Sequence, residues 1–500
     1  MSFTTGNILL IGSTLLFVSL IVGRTGYKLG VPVLLLFLVV GMIFGSDGIG
    51  IQFHNASEAQ FIGTLALCII LFSGGMDTKI NDIRPIIPQG IILATLGVLF
   101  TMLFTGYFIY WLVGYFYPNL ITPLAGCLLL AAVMSSTDSA SVFNILRSKG
   151  LHLKQNMRPL LELESGSNDP MAYMLTILLL QVLQSGEMSW NYIFLSLFLQ
   201  FSIGIATGYL LGRLAIYIIN HICLTNNSLY QIILLIFVFF TFSITDLLKG
   251  NGYLAVYITG LIVGNHQIVY KRNISNFFDS IAWLFQIIMF LALGLLVNPA
   301  ELWGIAPIGL LIGGFLIFIA RPLAVFLCLL PFRKMTWQGR LFTSWIGLRG
   351  AVPIIFATYP LLADIPGARQ IFNIVFFITI LSLLLQGTTV SISAKLLGLS
   401  QPVKNLPDEF NMALAENIKS VIAEVTVMPD LLIDGDHLHK LHLPPNTLVI
   451  MIKRYDSYFV PNGSTRLLAG DKLLLLSDNE EDLQHTLADL GIEEYTIRRN

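Results

Sequence analysis

Apolar runs long enough to cross about 30 Å of hydrocarbon recur from residue 6 to about residue 397 and then stop. They predict about thirteen helical spans, near 6–23, 29–46, 59–75, 86–112, 122–146, 157–184, 192–219, 229–248, 252–265, 276–297, 302–330, 338–360 and 369–395. From Leu396 the hydropathy falls, and Gln401 to Glu416, with two prolines and mixed charge, predicts a linker leading into a short helix. Beyond it the period becomes that of short strands, at Val421–Val427, Thr447–Lys453, Ser457–Pro461 and Arg466–Leu476, with turns at Asn462-Gly463 and Ala469-Gly470-Asp471. Glu480–Leu490 is amphipathic and predicts a closing helix. The expected organisation is a membrane region over 1–397, a linker over 398–420 and a small α+β domain over 421–500.

Composition supports the membrane class. Charged residues make up 11% of the 500 positions and the mean hydropathy is +0.78, where a soluble enzyme would carry about 25% charge. A net charge of -1 argues against a nucleic-acid partner. Cys68, Cys127, Cys223 and Cys328 sit in apolar runs without pairing or metal spacing and read as packing residues. The first run, Ile8–Val22, lacks a basic leader region and a small-residue cleavage site, so it reads as a retained span.

Lys and Arg fall in alternate loops: Arg24 and Lys28; Lys79 and Arg84; Arg147, Lys149, Lys154 and Arg158; Arg213; Lys271 and Arg272; Arg333, Lys334 and Arg340. The intervening loops hold Lys249 and Arg369. The bias puts the N-terminus outside and the C-terminal domain in the cytoplasm. An odd number of spans lets two six-span halves insert in opposite orientations, the inverted-repeat plan of secondary transporters. The fifth span then corresponds to the twelfth, and both are interrupted, by Ser135-Ser136-Thr137-Asp138-Ser139 and by Gly347-Leu348-Arg349-Gly350-Ala351-Val352-Pro353. Paired broken helices mark a midplane site, and Asp138 and Arg349 are placed to compensate the half-helix ends. The fold class expected is thus an all-α polytopic membrane protein with crossed broken helices, plus a small cytoplasmic α+β domain.

The stretch Leu161–Pro170 places three carboxylates at the head of the apolar segment Met171–Leu183. A charge at the bilayer centre costs roughly 2.5–3.5 kcal/mol on insertion scales, so such residues face a bundle interior or a water-filled cavity. On a helix, Glu164 with Asn168 and Ser165 with Asp169 form one polar stripe, and Pro170 removes the donor that would bond the Gly166 carbonyl. Carboxylate, amide and carbonyl oxygens together suit a small hard cation. The alternatives are a polar helix start at the membrane surface, or polar glue between helices. The other deep charges are Asp138, Arg321 and Arg349. Two arginines need acidic partners, and pairing Glu164 with Arg321 and placing Asp138 near Arg349 leaves Asp169 free to exchange a proton for a cation. Competition at one carboxylate makes the two ligands mutually exclusive, and Asn168 adds no second free charge, so the exchange expected is electroneutral.

Thr137-Asp138, Glu164-Ser165-x-x-Asn168-Asp169, Arg321 in Ala-Arg-Pro and Gly347-Leu348-Arg349-Gly350 together resemble the monovalent cation/proton antiporter family of bacterial NhaP-type and animal sodium/proton exchangers. Leu29-Gly30-Val31-Pro32 with Gly41 and Gly45 fits the same family. The resemblance implies that Asp169 is the essential ion-binding residue, that Asn168 marks an electroneutral member, and that Thr137 and Ser165 offer cation-coordinating oxygens alongside Asp138. It also implies that Glu164 and Arg321 form a structural ion pair, that Arg349 steadies the crossover, and that the protein is a homodimer. The form Ser165-Gly166-Ser167-Asn168-Asp169-Pro170-Met171-Ala172 is similar to bacterial potassium/proton antiporters linked to cell-volume regulation. Ser139 stands where many sodium-type members have proline, which weakens a sodium assignment.

In the C-terminal domain, Pro444-x-x-Thr447-Leu448-Val449-Ile450, Lys453-Arg454, Val460-Pro461 and Leu468-Ala469-Gly470-Asp471 resemble the C-terminal subdomain of regulators of potassium conductance, RCK_C. That module implies a small, nucleotide-type ligand, which, without a glycine-rich fingerprint, would sit at a dimer interface. His437, His439 and His442 suggest a metal site or pH sensor, but lack a fourth ligand and fit a solvated helix face. The sequence therefore predicts an inner-membrane antiporter of a monovalent cation, K+ ahead of Na+, against H+, regulated by its tail, without a cofactor and with lipid around it. The rival is a ligand-gated potassium channel, against which stands the absence of a Thr-Val-Gly-Tyr-Gly filter. A membrane enzyme lacks support: there is no His-Glu-x-x-His, and Ser165 has no histidine base in the spans. No phosphate-binding loop suggests an ATP-driven pump.

Overall fold

The structure, a computed structural model, describes residues 5–29, 32–51, 53, 55–116, 123–149, 151–154, 156–186, 190–333, 335–402, 421–428, 436–441, 443, 447–455, 457–477, 483 and 495–498. The chain divides into two compact units, Met1–Pro402 and Val403–Asn500.

The first unit is helical. Helices α1 (Thr5–Leu29), α2 (Val33–Phe44) and α3 (Ala56–Asp77) are followed by α4 (Ile80–Ile83), α5 (Ile87–Ile92) and α6 (Val98–Phe116), which run on through a 3-10 turn and the π-helical turn Leu93–Gly97. Then come α7 (Leu124–Val133), α8 (Ser139–Ser148), α9 (Met157–Ser185), α10 (Trp190–His221), α11 (Ser228–Leu247), α12 (Gly252–Gly264) and α13 (Lys271–Leu296). Helices α14 (Pro299–Phe315) and α15 (Arg321–Leu329) join through the π-turn Leu316–Ala320. After α16 (Trp337–Trp345) and α17 (Ala351–Leu362), α18 (Ala368–Ser382) and α19 (Thr388–Leu396) join through the π-turn Leu383–Gly387. Among the described residues seven helices are long and apolar enough to cross a membrane, and shorter apolar helices accompany them. Helix α9, with Glu162, Glu164 and Asp169, is not among the seven.

Each of the two expected interruptions is a real gap between helices, at 134–138 and at 346–350. Helix α9, in contrast, runs unbroken through Pro170. Beside it Asn251 ties α12 to α9: it caps α12 by accepting from Leu254 N–H at 3.0 Å and donates its amide to the Pro170 carbonyl at 2.7 Å. Helices α3 and α12 pack backbone to backbone, since a Cβ on Gly260 would run into the main chain of Phe72. Gly41 of α2 and Gly294 of α13 make a second such contact. Cys68, Cys127 and Cys328 are buried, but Cys223 is exposed: its apolar run extends past the end of α10 into a turn, so it is not a packing residue.

A short antiparallel pair, β1 (Leu151–Leu153) with β2 (Ser400–Pro402), joins the loop before α9 to the end of this unit. Strand β2 falls within the stretch expected to be a linker, and the rest of that stretch, 403–420, lies outside the described residues.

The second unit holds a five-stranded antiparallel sheet, β3 (Val421–Thr426), β4 (Thr447–Arg454), β5 (Ser457–Phe459), β6 (Lys472–Ser477) and β7 (Tyr495–Arg498), in the order β5-β4-β6-β3-β7. Its core includes Ala423, Val425, Ile452, Leu473 and Leu475. The expected strand Arg466–Leu476 begins only at Lys472, because residues 467–471 turn: Gly470 has φ +90 and its N–H bonds the Val427 carbonyl. The expected helix Glu480–Leu490 lies outside the described residues, apart from the buried Leu483, and β7 was not anticipated. His437 pairs with Asp436 at 2.8 Å and His439 sits in a 3-10 turn against the Gly463 carbonyl, while His442 is outside the described residues. Among the described residues no cluster could hold a metal ion.

Candidate functional site

The unwound stretches after α7 and α16 cross and touch: the Asp138 N–H donates to the Leu348 carbonyl at 2.7 Å. Unwinding leaves carbonyls without partners at the end of α7 and N–H groups without partners at the start of α8. Arg349, fully buried, answers the first, donating from Nε to the Met134 carbonyl at 3.1 Å and from Nη1 to the Gly347 carbonyl. Asp138 answers the second by accepting from the Ser141 N–H at 3.1 Å and from the Ser141 hydroxyl at 2.5 Å. A cation thus faces a helix C-terminus and an anion a helix N-terminus, as the macrodipoles require. The expectation that Asp138 lies near Arg349 holds at the backbone, but Arg349 directs its hydrogen bonds to carbonyls and not to that carboxylate. The second gap is also held from α18 and the π-turn after it: Ser382 accepts from the Arg349 N–H at 2.9 Å, and the buried Gln386 donates to the Trp345 carbonyl at 2.7 Å.

Glu164 on α9 and Arg321 at the start of α15 form an ion pair with both side chains 2% exposed. The π-turn Leu316–Ala320 precedes Arg321 directly. Gly347 fills the space between the two arginines, since a Cβ there would meet both guanidiniums.

Asp169, 7% exposed, receives a hydrogen bond from the Ser136 hydroxyl. Next to it, the Asn168 amide donates to the Thr137 hydroxyl at 2.5 Å and its carbonyl at 3.3 Å, and the Ser165 hydroxyl donates to the same carbonyl at 3.0 Å. The Asn168 side-chain oxygen is buried and, among the described residues, has no hydrogen-bond partner. Carboxylate, hydroxyl and amide oxygens therefore converge where α9 passes the gap after α7. The sequence had pointed to Thr137 and Ser165 as oxygen donors and had passed over Ser136, which makes the direct contact with Asp169. Nothing in the spacing distinguishes Ser136 from its neighbours, because the unwound backbone decides which side chain turns inward.

A cavity of about 320 Å³ leads to this site. Asp138, Ser165, Gly166, Asp169 and Tyr257 line it, together with Asp77 and Thr78 at the end of α3 and Arg158 and Glu162 at the start of α9. One turn further along α9 the rings close up. Tyr173 packs edge-on against Tyr253 at 4.9 Å and Tyr359 at 5.6 Å, Phe356 lies at 5.8 Å, and the Tyr253 hydroxyl donates to Thr64 at 3.3 Å. The site is thus reached from the end of α9 that carries Arg158, and is packed shut toward the end that carries Ser185.

Residues 13–396 match the family described as sodium/hydrogen exchanger, transmembrane. The chain is 38% identical over 475 residues to the K(+)/H(+) antiporter NhaP2 of Shewanella baltica, covering 94% of this chain and 81% of that protein. It is 42% identical over 405 residues to the K(+)/H(+) antiporter NhaP of Alkalimonas amylolytica, covering 81% and 69%. The sodium proton antiporter MjNhaP1 from Methanocaldococcus jannaschii superposes with a TM-score of 0.68 at 25% identity, covering 78% of this chain and 99% of that one. With its broken helices crossing beside a buried carboxylate, this multi-pass membrane chain belongs to the sodium/hydrogen exchanger family of monovalent cation/proton antiporters.

Proposed function

We propose that the chain exchanges K+, in preference to Na+, for H+ one for one across a bacterial inner membrane, acting as a carrier and not as an enzyme or a channel. The observation that carries this reading is the Asp169 carboxylate at the closed end of a cavity, beside the buried and unpartnered oxygen of Asn168. A proton or a cation can satisfy that carboxylate, but not both. The remaining deep charges cancel, two arginines (Arg321, Arg349) against two carboxylates (Asp138, Glu164), so either ligand of Asp169 leaves the same net charge and exchange is electroneutral. Relatives named for K+ at 38% and 42% identity, against 30% for the Na(+)/H(+) antiporter NhaG of Bacillus atrophaeus, support potassium.

The membrane unit is read as thirteen spans in two inverted repeats with the N-terminus outside. The broken helices α7/α8 and α16/α17, and the π-turns at Leu93–Gly97 and Leu316–Ala320, fall at corresponding places in the fourth and fifth, and the eleventh and twelfth, spans. The tail is read as a cytoplasmic RCK_C-like regulator that answers a nucleotide-type ligand, on a homodimer serving potassium and pH homeostasis and cell volume.

The test is the internal pH of proteoliposomes after K+ or Na+ is added outside, with Asp169→Asn as the comparison. Potassium-driven proton movement that ignores a clamped potential and disappears in the variant is expected. Potassium flux without proton counterflow would put the channel in its place. Asn168→Asp adds a second carboxylate, and exchange by that variant is expected to depend on membrane potential.

A further inference from the structure

Tyr257 of α12 stands in the cavity with no role in the contacts that hold Asp169. It is 3% exposed, and the hydroxyl end of its ring occupies the space left by Gly166, where any side chain would collide with the ring and the hydroxyl. Gly166 comes three residues before Asp169 on α9, so the ring sits about 4.5 Å along the helix from the exchanging carboxylate, on the side from which the cavity is entered. The hydroxyl is buried beside Thr78 and Ser167 and has no well-formed hydrogen bond among the described residues. A buried hydroxyl without a partner costs free energy unless a ligand or water completes it. Thr78 already donates its hydroxyl proton to the Gly74 carbonyl at 2.7 Å, so its oxygen presents only lone pairs. Glu162 is already paired with Arg158 at 2.8 Å, but Asp77 and Asp279 line the same cavity and supply negative charge.

We propose that Tyr257, Thr78 and Ser167 form a second cation station, which receives a partly hydrated monovalent cation and passes it to Asp169. The hydroxyl oxygens replace part of the hydration shell while Asp77 and Asp279 offset the charge. The station spans α3, α9 and α12, so it includes helices that do not carry the exchanging carboxylate, and Tyr257 is its central ligand.

The inference rests on the cation/proton exchange reading, and one experiment separates the two. Proton movement in proteoliposomes is measured against K+ concentration for the native protein, Tyr257→Phe and Asp169→Asn. Tyr257→Phe keeps the ring against Gly166 and removes only the oxygen, so it is expected to raise the half-saturating K+ concentration about tenfold at an unchanged maximal rate. A packing role would leave half-saturation in place and lower the rate or the yield of folded protein. Native exchange with Tyr257→Phe saturating as the native protein does overturns the station alone. A native protein in which neither K+ nor Na+ moves protons overturns both.

Discussion

Two fully buried arginines within one membrane unit are held by different means. Arg321 meets the carboxylate of Glu164, while Arg349 meets two carbonyls at helix ends. Removing one member of a buried pair strands the other, at a cost of about 3–5 kcal/mol, whereas replacing both by apolar residues is often neutral. Arg321→Ala is therefore expected to lower the thermal unfolding temperature of detergent-solubilised protein sharply, and Glu164→Leu with Arg321→Met to restore most of it. Recovery of stability without recovery of transport would show that the pair also orients α9. At this scale the sequence was legible wherever charge was scarce. Asp138, Glu164, Asp169, Arg321 and Arg349 stood out because hydrocarbon tolerates so few ionisable groups. Ser382 and Gln386 did not, since their work is to hold backbone in gaps whose path no local pattern specifies, and Ser136 did not, since the same path decides that its hydroxyl reaches Asp169.

Helices were legible for the opposite reason, as each is written in a long apolar run. The gaps at 134–138 and 346–350 could be read because serine, glycine and an ion interrupt such runs at matching places. The π-turns could not, because Leu93–Gly97 and Leu316–Ala320 carry no charge or proline and keep the helix going. Close helix contacts make a separate prediction. A Cβ on Gly260 meets the Phe72 backbone and cannot be absorbed by a side-chain rotation, so Gly260→Ala is expected to cost about 1–3 kcal/mol in the same melting assay. In the tail, Arg454 at the end of β4 bonds both oxygens of Asp471, at 2.9 and 2.6 Å, just before β6. Asp471 is 2% exposed and also accepts from the Leu468 N–H at 2.9 Å, so Asp471→Ala is expected to destabilise the tail by about 3 kcal/mol, read as faster amide exchange in β4 and β6. Asp436 behaves differently, because its exposed carboxyl is held below the ordinary carboxylate value by the hydrogen bond from Arg466, with His437 adding to it. A lowered value favours the folded tail above the ordinary pKa, and that contribution fades as the pH falls toward the lowered one. Protection factors in the tail, corrected for the intrinsic exchange rate at each pH, should then fall on acidification less steeply in Asp436→Asn, and salt should narrow the difference.

For the molecule as a whole, a helical unit and a sheet unit were both visible in the change of period near residue 400. Strand β7 escaped notice because Tyr495–Arg498 is short and ends in charge, and β2 because Ser400–Pro402 reads as linker. That small pair, β1 with β2, has a mechanical consequence. Its register joins Leu151 to Pro402 and Leu153 to Ser400, and the Lys154 N–H bonds the Leu399 carbonyl at 2.9 Å. On one side the chain enters α9 three residues later and reaches Asp169 within four turns. On the other the membrane unit ends, at Pro402. The pair thus knots the segment that leads into the ion-carrying helix to the last residues of the membrane unit. A slack insert of about six glycine and serine residues after Pro402 should leave exchange intact and silence any ligand effect exerted through the tail.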